Sequence, residues 1–391
     1  MHADTARALL AWARAHEAEM LDMLERLVNI QSGSGNAGGL ARVRRVLTTE
    51  LVRTGLRVEK RGAHLLASTR PQDDARPGGL LVGHFDTVFP SDTDFRTLRR
   101  EGERVIGPGV TDMKGGLIVT IFALRALREA GLLPEAPLRV LFNADEEVGS
   151  TTSRPLLKEL AERSAFAFVM ECGGLDGAVV TGRKGRFGFR VEVEGRAGHA
   201  AFAGQDKASA IVDLAHRVLA LEALNDPDAS VSVNVGVVQG GIGYNTVPES
   251  AVAVVDVRYV TEEQRARVEA RCREVVARTV LPGTRATWVD MTGRPAMEPS
   301  EGNLRLYDMV AKAAGTLGLT VPAEHRSGVS DANYVAAAGT PVVDGLGPIG
   351  ADDHSSREWM LVSSLAERTA LLAASVATAA ADWCGQSAGS P

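Results

Sequence analysis

Cysteine is scarce in this chain of 391 residues: Cys172, Cys272 and Cys384 are the whole complement. None stands in a C-x-x-C pair, which excludes a thiolate zinc knuckle. An odd, sparse set also excludes a disulfide framework and matches usage in a reducing cytoplasm, where the protein is expected to reside. No apolar run approaches the roughly 18 residues of a membrane span. Excess positive charge is missing too. The 43 Lys and Arg face 49 Asp and Glu, a formal net charge of −6, which disfavours nucleic acid and anionic membranes as partners. The first 27 residues interleave Arg7, Arg14, Glu17 and Glu19 with apolar positions. That is an amphipathic helix rather than the apolar core of a signal peptide. What remains is an ordinary globular composition, 45% hydrophobic and 24% charged. At about 100–200 residues per domain, the length suggests two to four domains.

The pattern along the chain predicts helices over about Thr5–Val28, Leu40–Gly55 and Gly115–Ala130. Short apolar strands fall at Leu80–Val82, Pro137–Phe142 and Ala165–Met170. Strands alternating with helices imply βαβ units and a mostly parallel sheet, with ligands at the carboxyl ends of the strands. The period changes near Gly185, where Phe187, Phe189, Val191 and Val193 alternate with polar or small residues, as in a half-exposed antiparallel strand. A helix over about Lys207–Leu224 and strands Val231–Val238 and Ala251–Val260 follow. Thr261-Glu262-Glu263-Gln264 is a capping box that starts a helix to about Thr279, and Arg285–Met291 closes the segment. The order βαββαβ is ferredoxin-like. The expected fold is therefore α/β: a larger domain in two parts, 1–185 and 296–391, with an α+β domain, 186–295, inserted between them. A strand at Pro341–Asp344 and a helix over about Leu361–Ala381 complete the second part, and the tail Gly385–Pro391 is expected to be disordered.

Five polar clusters follow the predicted strands or sit in Gly-rich loops: His84-Phe85-Asp86, Asp112, Glu146-Glu147, Glu171 and His354. Any one of them alone reads as a cap or a polar turn. Together they are the hard carboxylates and imidazoles that a hydrolytic metal site requires. Residues i and i+2 share a side of an extended chain, so Asp86 can fix the tautomer of His84. Glu146 and Glu147 diverge, leaving one to bind metal and the other to act as a base.

The strings Gly83-His84-Phe85-Asp86-Thr87-Val88, Gly107-Pro108-Gly109, Asp112-Met113-Lys114-Gly115-Gly116, Asp145-Glu146-Glu147 and Gly198-His199 resemble the co-catalytic zinc aminoacylase–carboxypeptidase family over about residues 20–382. Val343–Pro348 with His354-Ser355, and Thr292–Ala296, are similar to its glutamate carboxypeptidase branch. The resemblance implies two Zn²⁺ per chain, with Co²⁺ or Mn²⁺ acceptable to the same donors. Asp112 would bridge them, His84 and Glu171 would complete one, and Glu147 and His354 the other. It implies that a hydroxide shared by the metals attacks the carbonyl, with Glu146 as general base and then acid. It also implies a cis peptide at Asp112–Met113. The ions' charge less that of Asp112, Glu147 and Glu171 leaves one positive charge for the nucleophile. Asp352 and Asp353 adjoin His354 but match no ligand of the family.

The same resemblance makes the inserted domain the lid and homodimer interface, with His199 reaching the partner subunit's site to stabilise the oxyanion and Asn245 as its companion. Arg294 is the candidate for a substrate α-carboxylate, because a guanidinium grips a carboxylate bidentately. Arg258 is a second candidate that also reads as a structural ion pair. Ser327–Asp331 is similar to the family's Gly-rich substrate loop, but Ser and Val replace small residues there, so the side-chain preference stays open. The expected reaction is hydrolysis of a peptide or N-acyl amide that releases a C-terminal amino acid. A small-molecule deacylase of the acetylornithine or succinyl-diaminopimelate type and a non-catalytic binding protein are the alternatives. Gly33–Gly38 matches G-x-G-x-x-G but follows a helix pattern rather than a strand, which argues against dinucleotide binding.

Overall fold

The computed structural model describes residues 2–71, 73–204 and 206–387. The chain divides into two compact units: 1–182 with 299–326 and 330–391, and 183–298 with 327–329.

The first unit is built on a six-stranded sheet. Its order is Arg57–Arg61, His64–Ser68, Leu138–Asn143, Gly78–His84, Ser164–Val169 and Val342–Val343. The first two joins are antiparallel. The remaining three are parallel. Leu80, Leu81 and Val82 are wholly buried, as expected of a central parallel strand covered on both faces. One covering helix, Gly115–Glu129, is apolar almost all round, and 12 of its 15 residues are buried. Gly116 is needed there because a Cβ would lie 2.1 Å from the Met170 carbonyl oxygen, so helix and strand approach at backbone distance. The helix Ser363–Ser387 packs beside it. That helix runs beyond the predicted end at Ala381 and into the tail expected to be disordered; residues 388–391 of that tail lie outside the described ones. No helix among the described residues is long and apolar enough to cross a membrane.

The N-terminal segment forms two helices, Ala3–Ala15 and Glu17–Val28, rather than one. The reason is His16. Its Nδ1 lies 2.8 Å from the Trp12 carbonyl oxygen, the usual partner of the His16 N–H. That N–H bonds to the Ala13 carbonyl instead, at 3.1 Å, and the helical ladder breaks there.

A small sheet links distant segments. Arg104–Ile106 pairs with Arg99–Glu101 on one side and with Trp359–Leu361 on the other, which pairs in turn with Gly350–Ala351. It carries the turn holding His354 to the loop that follows Ile106.

The second unit is a four-stranded antiparallel sheet in the order Ser232–Gly240, Ser250–Tyr259, Gly185–Glu194, Arg285–Asp290. Helices Ala210–Glu222 and Glu262–Ala277 complete the ferredoxin-like pattern. Thr261 and Gln264 form the expected capping box. Between the helices lies a buried ion pair, Arg217 Nε to Asp213 Oδ1 at 2.5 Å. Arg217 also donates to the Val275 and Val276 carbonyls, and Thr284 donates to Asp213.

Removing one partner of such a pair strands a buried charge at a cost of about 3–5 kcal/mol. Asp213→Ala is therefore expected to lower unfolding stability by that amount in urea titrations. The double variant Asp213→Leu/Arg217→Met should recover most of it. A loss under about 1 kcal/mol for Asp213→Ala would show that the pair is not structural.

Candidate metal centre

Strand geometry collects the acids and imidazoles of the first unit on one edge. His84 ends its strand; Asp145, Glu146 and Glu147 follow the strand ending at Asn143, and Glu171 follows the one ending at Val169. These strands are mutually parallel, so all three turns leave the same end of the sheet. Asp112 comes from the irregular turn Val110–Lys114, and its bond to Met113 is cis. His354 comes from the turn between Gly350–Ala351 and Trp359–Leu361. It has φ near 60°, as does Asp352, a left-handed conformation that non-glycine residues adopt only when their surroundings hold them there.

Asp112 is the hub. Its Oδ1 is 3.0 Å from His84 Nε2, and its Oδ2 is 3.0 Å from His354 Nε2. Glu171 Oε1 stands 3.7 Å from His84 Nε2 on the first side. Glu147 Oε2 stands 3.4 Å from His354 Nε2 on the second. Each oxygen of one carboxylate thus faces its own imidazole, with a further carboxylate behind it. Asp353 also belongs to the neighbourhood: its carboxylate, that of Asp112 and the His354 ring present atoms all within 4.8 Å of one another.

The electrostatics follow from this crowding. Burial pushes Glu171 well above the usual carboxylate range, and the Asp112 anion adds to the effect. Glu147 moves up for the same two reasons. Burial opposes ionisation of Asp112 as well, but hydrogen bonds from His354 and His84 outweigh it and lower its value. His354 is raised to about 11 by its bonds to Asp112 and then Glu147. For His84, burial disfavours the cation, yet the Asp112 and Asp86 carboxylates carry it well above its ordinary value. Groups held this way compete for protons and for divalent cations alike.

The donor set fits such cations. Three carboxylates and two imidazoles are hard to borderline ligands. Glu147 Oε1 is buried with no hydrogen-bond partner, the condition of a lone pair that a cation would satisfy.

Asp86 sits beneath this cluster, fully buried. From the sequence it was expected to orient His84. His84 Nδ1 is 3.1 Å from the Asp86 backbone oxygen and 3.4 Å from its carboxylate. The carboxylate itself accepts from the backbone N–H groups of Glu146 and Glu147, at 3.1 and 3.2 Å, and from the Ser34 hydroxyl at 2.8 Å. Asp86 therefore ties the His84 strand to the Glu146-Glu147 turn. The start of Gly33–Gly38, the stretch set aside as a nucleotide loop, finds its place here: Thr87 N–H bonds to the Ser32 carbonyl and Ser34 N–H bonds to the Thr87 carbonyl.

Three further residues were given no role of their own from the sequence. Glu358 holds the Asp112 turn through backbone N–H groups. Lys114, fully buried and lowered to about 7 by burial, donates to the Leu27 and Ile30 carbonyls at 3.1 Å each. Asp331 accepts from Asn143 and Ser150, both at 2.5 Å, behind the Glu146-Glu147 turn.

His199, Asn245, Arg258 and Arg294 lie in the second unit. His199 pairs with Thr246 in a two-stranded ladder, and the Asn245 carbonyl accepts from Ala200 at 2.9 Å, so the structure brings His199 and Asn245 together. His199 is exposed, and its Nδ1 accepts from the Ala201 N–H. Arg258 donates to Asp256 at 2.9 Å, the ion pair that was its structural reading, and to the Ser327 carbonyl. Arg294 is buried, with its backbone bridged to Arg186.

Three carboxylates and two imidazoles gathered at the carboxyl edge of a mixed sheet are the donor set of a metallohydrolase. Residues 80–378 match peptidase family M20/M25/M40, and the chain belongs to that family: it is a metallopeptidase. It is 31% identical to carboxypeptidase G2 from Pseudomonas sp. (strain RS-16) over 368 residues, covering 91% of this chain and 88% of that relative. Its fold is similar to that of aminopeptidase PepT from Bacillus cereus ATCC 10987, with a TM-score of 0.79 at 20% identity, covering 93% of this chain and 99% of that one. An M20 family metallo-carboxypeptidase from Sulfolobus solfataricus gives a TM-score of 0.71 at 15% identity, covering 93% and 99%.

Proposed function

We propose that this metallopeptidase is a di-zinc carboxypeptidase that hydrolyses a peptide or N-acyl amide and releases an amino acid with a free α-carboxylate. The observation that carries the reading is the division of Asp112, whose two oxygens face His84 with Glu171 and His354 with Glu147. His84, Asp112 and Glu171 would hold one ion, and Asp112, Glu147 and His354 the other; Zn²⁺ is the proposed metal, and Co²⁺ or Mn²⁺ suit the same donors. Cations bound there would polarise the scissile carbonyl and lower the pKa of water towards neutrality. The similarity to carboxypeptidase G2 supports release from the C-terminal side.

The chain's own groups perform the proton chemistry. Glu146 takes the proton of the attacking water and returns it to the leaving nitrogen. It can do so because Asp86 anchors its backbone N–H at 3.1 Å while the adjacent Glu147 faces His354. His199 and Asn245 donate to the charge developing on the carbonyl oxygen, each donor worth about 2.7–4 kcal/mol. Arg294 receives the α-carboxylate, and Arg258, already engaged by Asp256, is the second choice.

The second unit is proposed to pair with another copy of this chain. Strand Ser232–Gly240 is an edge strand, with Val237 and Val238 exposed. Leu219, Ile211 and Val212 on the helix Ala210–Glu222 are exposed beside it. An unpaired edge with apolar neighbours suits a self-complementary two-fold interface.

The functional reading is tested with a panel of peptidyl and N-acyl amino acids, assayed before and after chelation and with Glu146→Gln. Carboxypeptidase turnover should vanish on chelation and return with Zn²⁺. Glu146→Gln should keep its metal and lose at least about 100-fold in kcat. Turnover within threefold of wild type in that variant would remove Glu146 from its role. Preference for small acyl groups over peptides would replace the carboxypeptidase by a deacylase. The pairing is tested by light scattering: wild type should be a dimer and Val238→Lys/Leu219→Glu a monomer. Mixed His199→Ala and Glu146→Gln subunits should regain part of the activity. A wild-type monomer, or hybrids that form without any rescue, would contradict sharing between subunits.

A further inference from the structure

Glu358 is a fully buried carboxylate near the centre that faces backbone rather than imidazole. Its Oε2 accepts from the Gly109 N–H at 2.9 Å. Its Oε1 accepts from the Thr111 N–H at 2.8 Å, the Thr111 hydroxyl at 2.9 Å and the Asp112 N–H at 3.1 Å. Four donors thus converge on a single side chain, and all come from the turn that presents Asp112. Gly109 makes the convergence possible. Its φ of 78° reverses the chain so that its N–H and those of residues 111 and 112 face inward, and a Cβ there would lie 2.9 Å from Thr87 Cγ2.

The small sheet fixes Glu358 in turn. Trp359 pairs with Ile106, and the Gly107 N–H bonds to the Glu358 carbonyl at 3.1 Å. The start and the middle of the Asp112 turn are therefore referenced to one residue, the start to its backbone and the middle to its side chain. The same residue lies four positions after His354, so the turn bearing His354 and the turn bearing Asp112 share an anchor.

We propose that Glu358 is a positioning residue for the metal centre: its carboxylate sets the Asp112 backbone so that the two oxygens of Asp112 face opposite sides, towards His84 and towards His354. The inference rests on the di-metal reading above. An amide cannot replace the carboxylate. Gln has one accepting oxygen, so its NH₂ group must face either the Gly109 N–H or the three donors at the other oxygen. Buried N–H groups next to Asp112 would then lose their acceptor and the turn would shift.

The test compares four full-length proteins: wild type, Glu358→Gln, Thr111→Val and Val310→Ala. Thr111→Val removes one of the four donors and keeps the turn's volume. Val310→Ala opens a core cavity in a helix of the same unit, far along the chain from both turns. Zn²⁺ affinity is read by competition with a chromogenic chelator, alongside unfolding stability, kcat and KM. Glu358→Gln should weaken Zn²⁺ retention about 10- to 100-fold and lower kcat with KM within about twofold. Thr111→Val should shift both in the same direction by less. Val310→Ala should lose stability and leave Zn²⁺ affinity unchanged. If Glu358→Gln, or Thr111→Val where the first variant does not fold, holds Zn²⁺ as tightly as wild type, Glu358 has no positioning role. A loss of affinity in Val310→Ala that matches its loss of stability would reduce the effect to general destabilisation and overturn the proposal too. Wild type that binds no Zn²⁺ would sink the di-metal reading itself, a result distinct from these.

Discussion

Carboxylates crowded into a buried space must each find a positive partner, and that demand organises the first unit. Asp112, Glu147 and Glu171 have imidazoles as their ion-pair partners, and no Lys or Arg lies within ion-pair distance of them among the described residues. Asp86 and Glu358 lie just behind and are satisfied by backbone N–H groups. Two classes of acid result. One class is neutralised by the fold and fixes the turns. The other is left facing imidazoles, with Glu147 Oε1 unbonded, and suits divalent cations. Lys114, the nearest cation in sequence to Asp112, is turned away to cap a helix end. A lysine facing Asp112 would neutralise the carboxylate and compete with metal, so its diversion keeps the hub available.

Much of this unit was legible in the sequence. Leu80–Val82, Pro137–Phe142 and Ala165–Met170 are short apolar runs that end in chemistry-bearing residues, and the parallel sheet puts their ends together. Periodicity carries that information locally. What it could not carry is pairing between short polar segments far apart. Arg99-Arg100-Glu101 has no strand pattern, and its small sheet forms because residues about 250 positions away supply the other edge. Glu358 was invisible for that reason: its meaning depends on the Gly109–Asp112 turn reaching it through that sheet. The hairpin Arg57–Ser68 was missed because its first strand is largely polar and exposed. The break at His16 depends on one side chain taking a backbone acceptor, which no propensity encodes.

The second unit was easier to read because its antiparallel sheet alternates buried and exposed residues, as in Ser250–Tyr259. Its candidate site residues were harder. His199 and Asn245 are 46 positions apart and meet only through a two-residue ladder; family resemblance, rather than pattern, singled them out. Arg258 shows how a charged residue at a strand end divides between roles, since Asp256 already holds it beside Arg186. Residues 327–329 join this unit although the surrounding sequence belongs to the other, a consequence of Arg183 and Arg258 donating to the Gly328 and Ser327 carbonyls.

The central claim is that one carboxylate, Asp112, serves two cations with separate partners. Metal content per chain, by elemental analysis of wild type, Asp112→Asn, Glu171→Gln and His354→Gln, tests it most directly. The account expects about two ions in wild type, a loss of both in Asp112→Asn, and the loss of one in each of the other two variants. One ion in wild type, or two retained in folded Asp112→Asn, would contradict it.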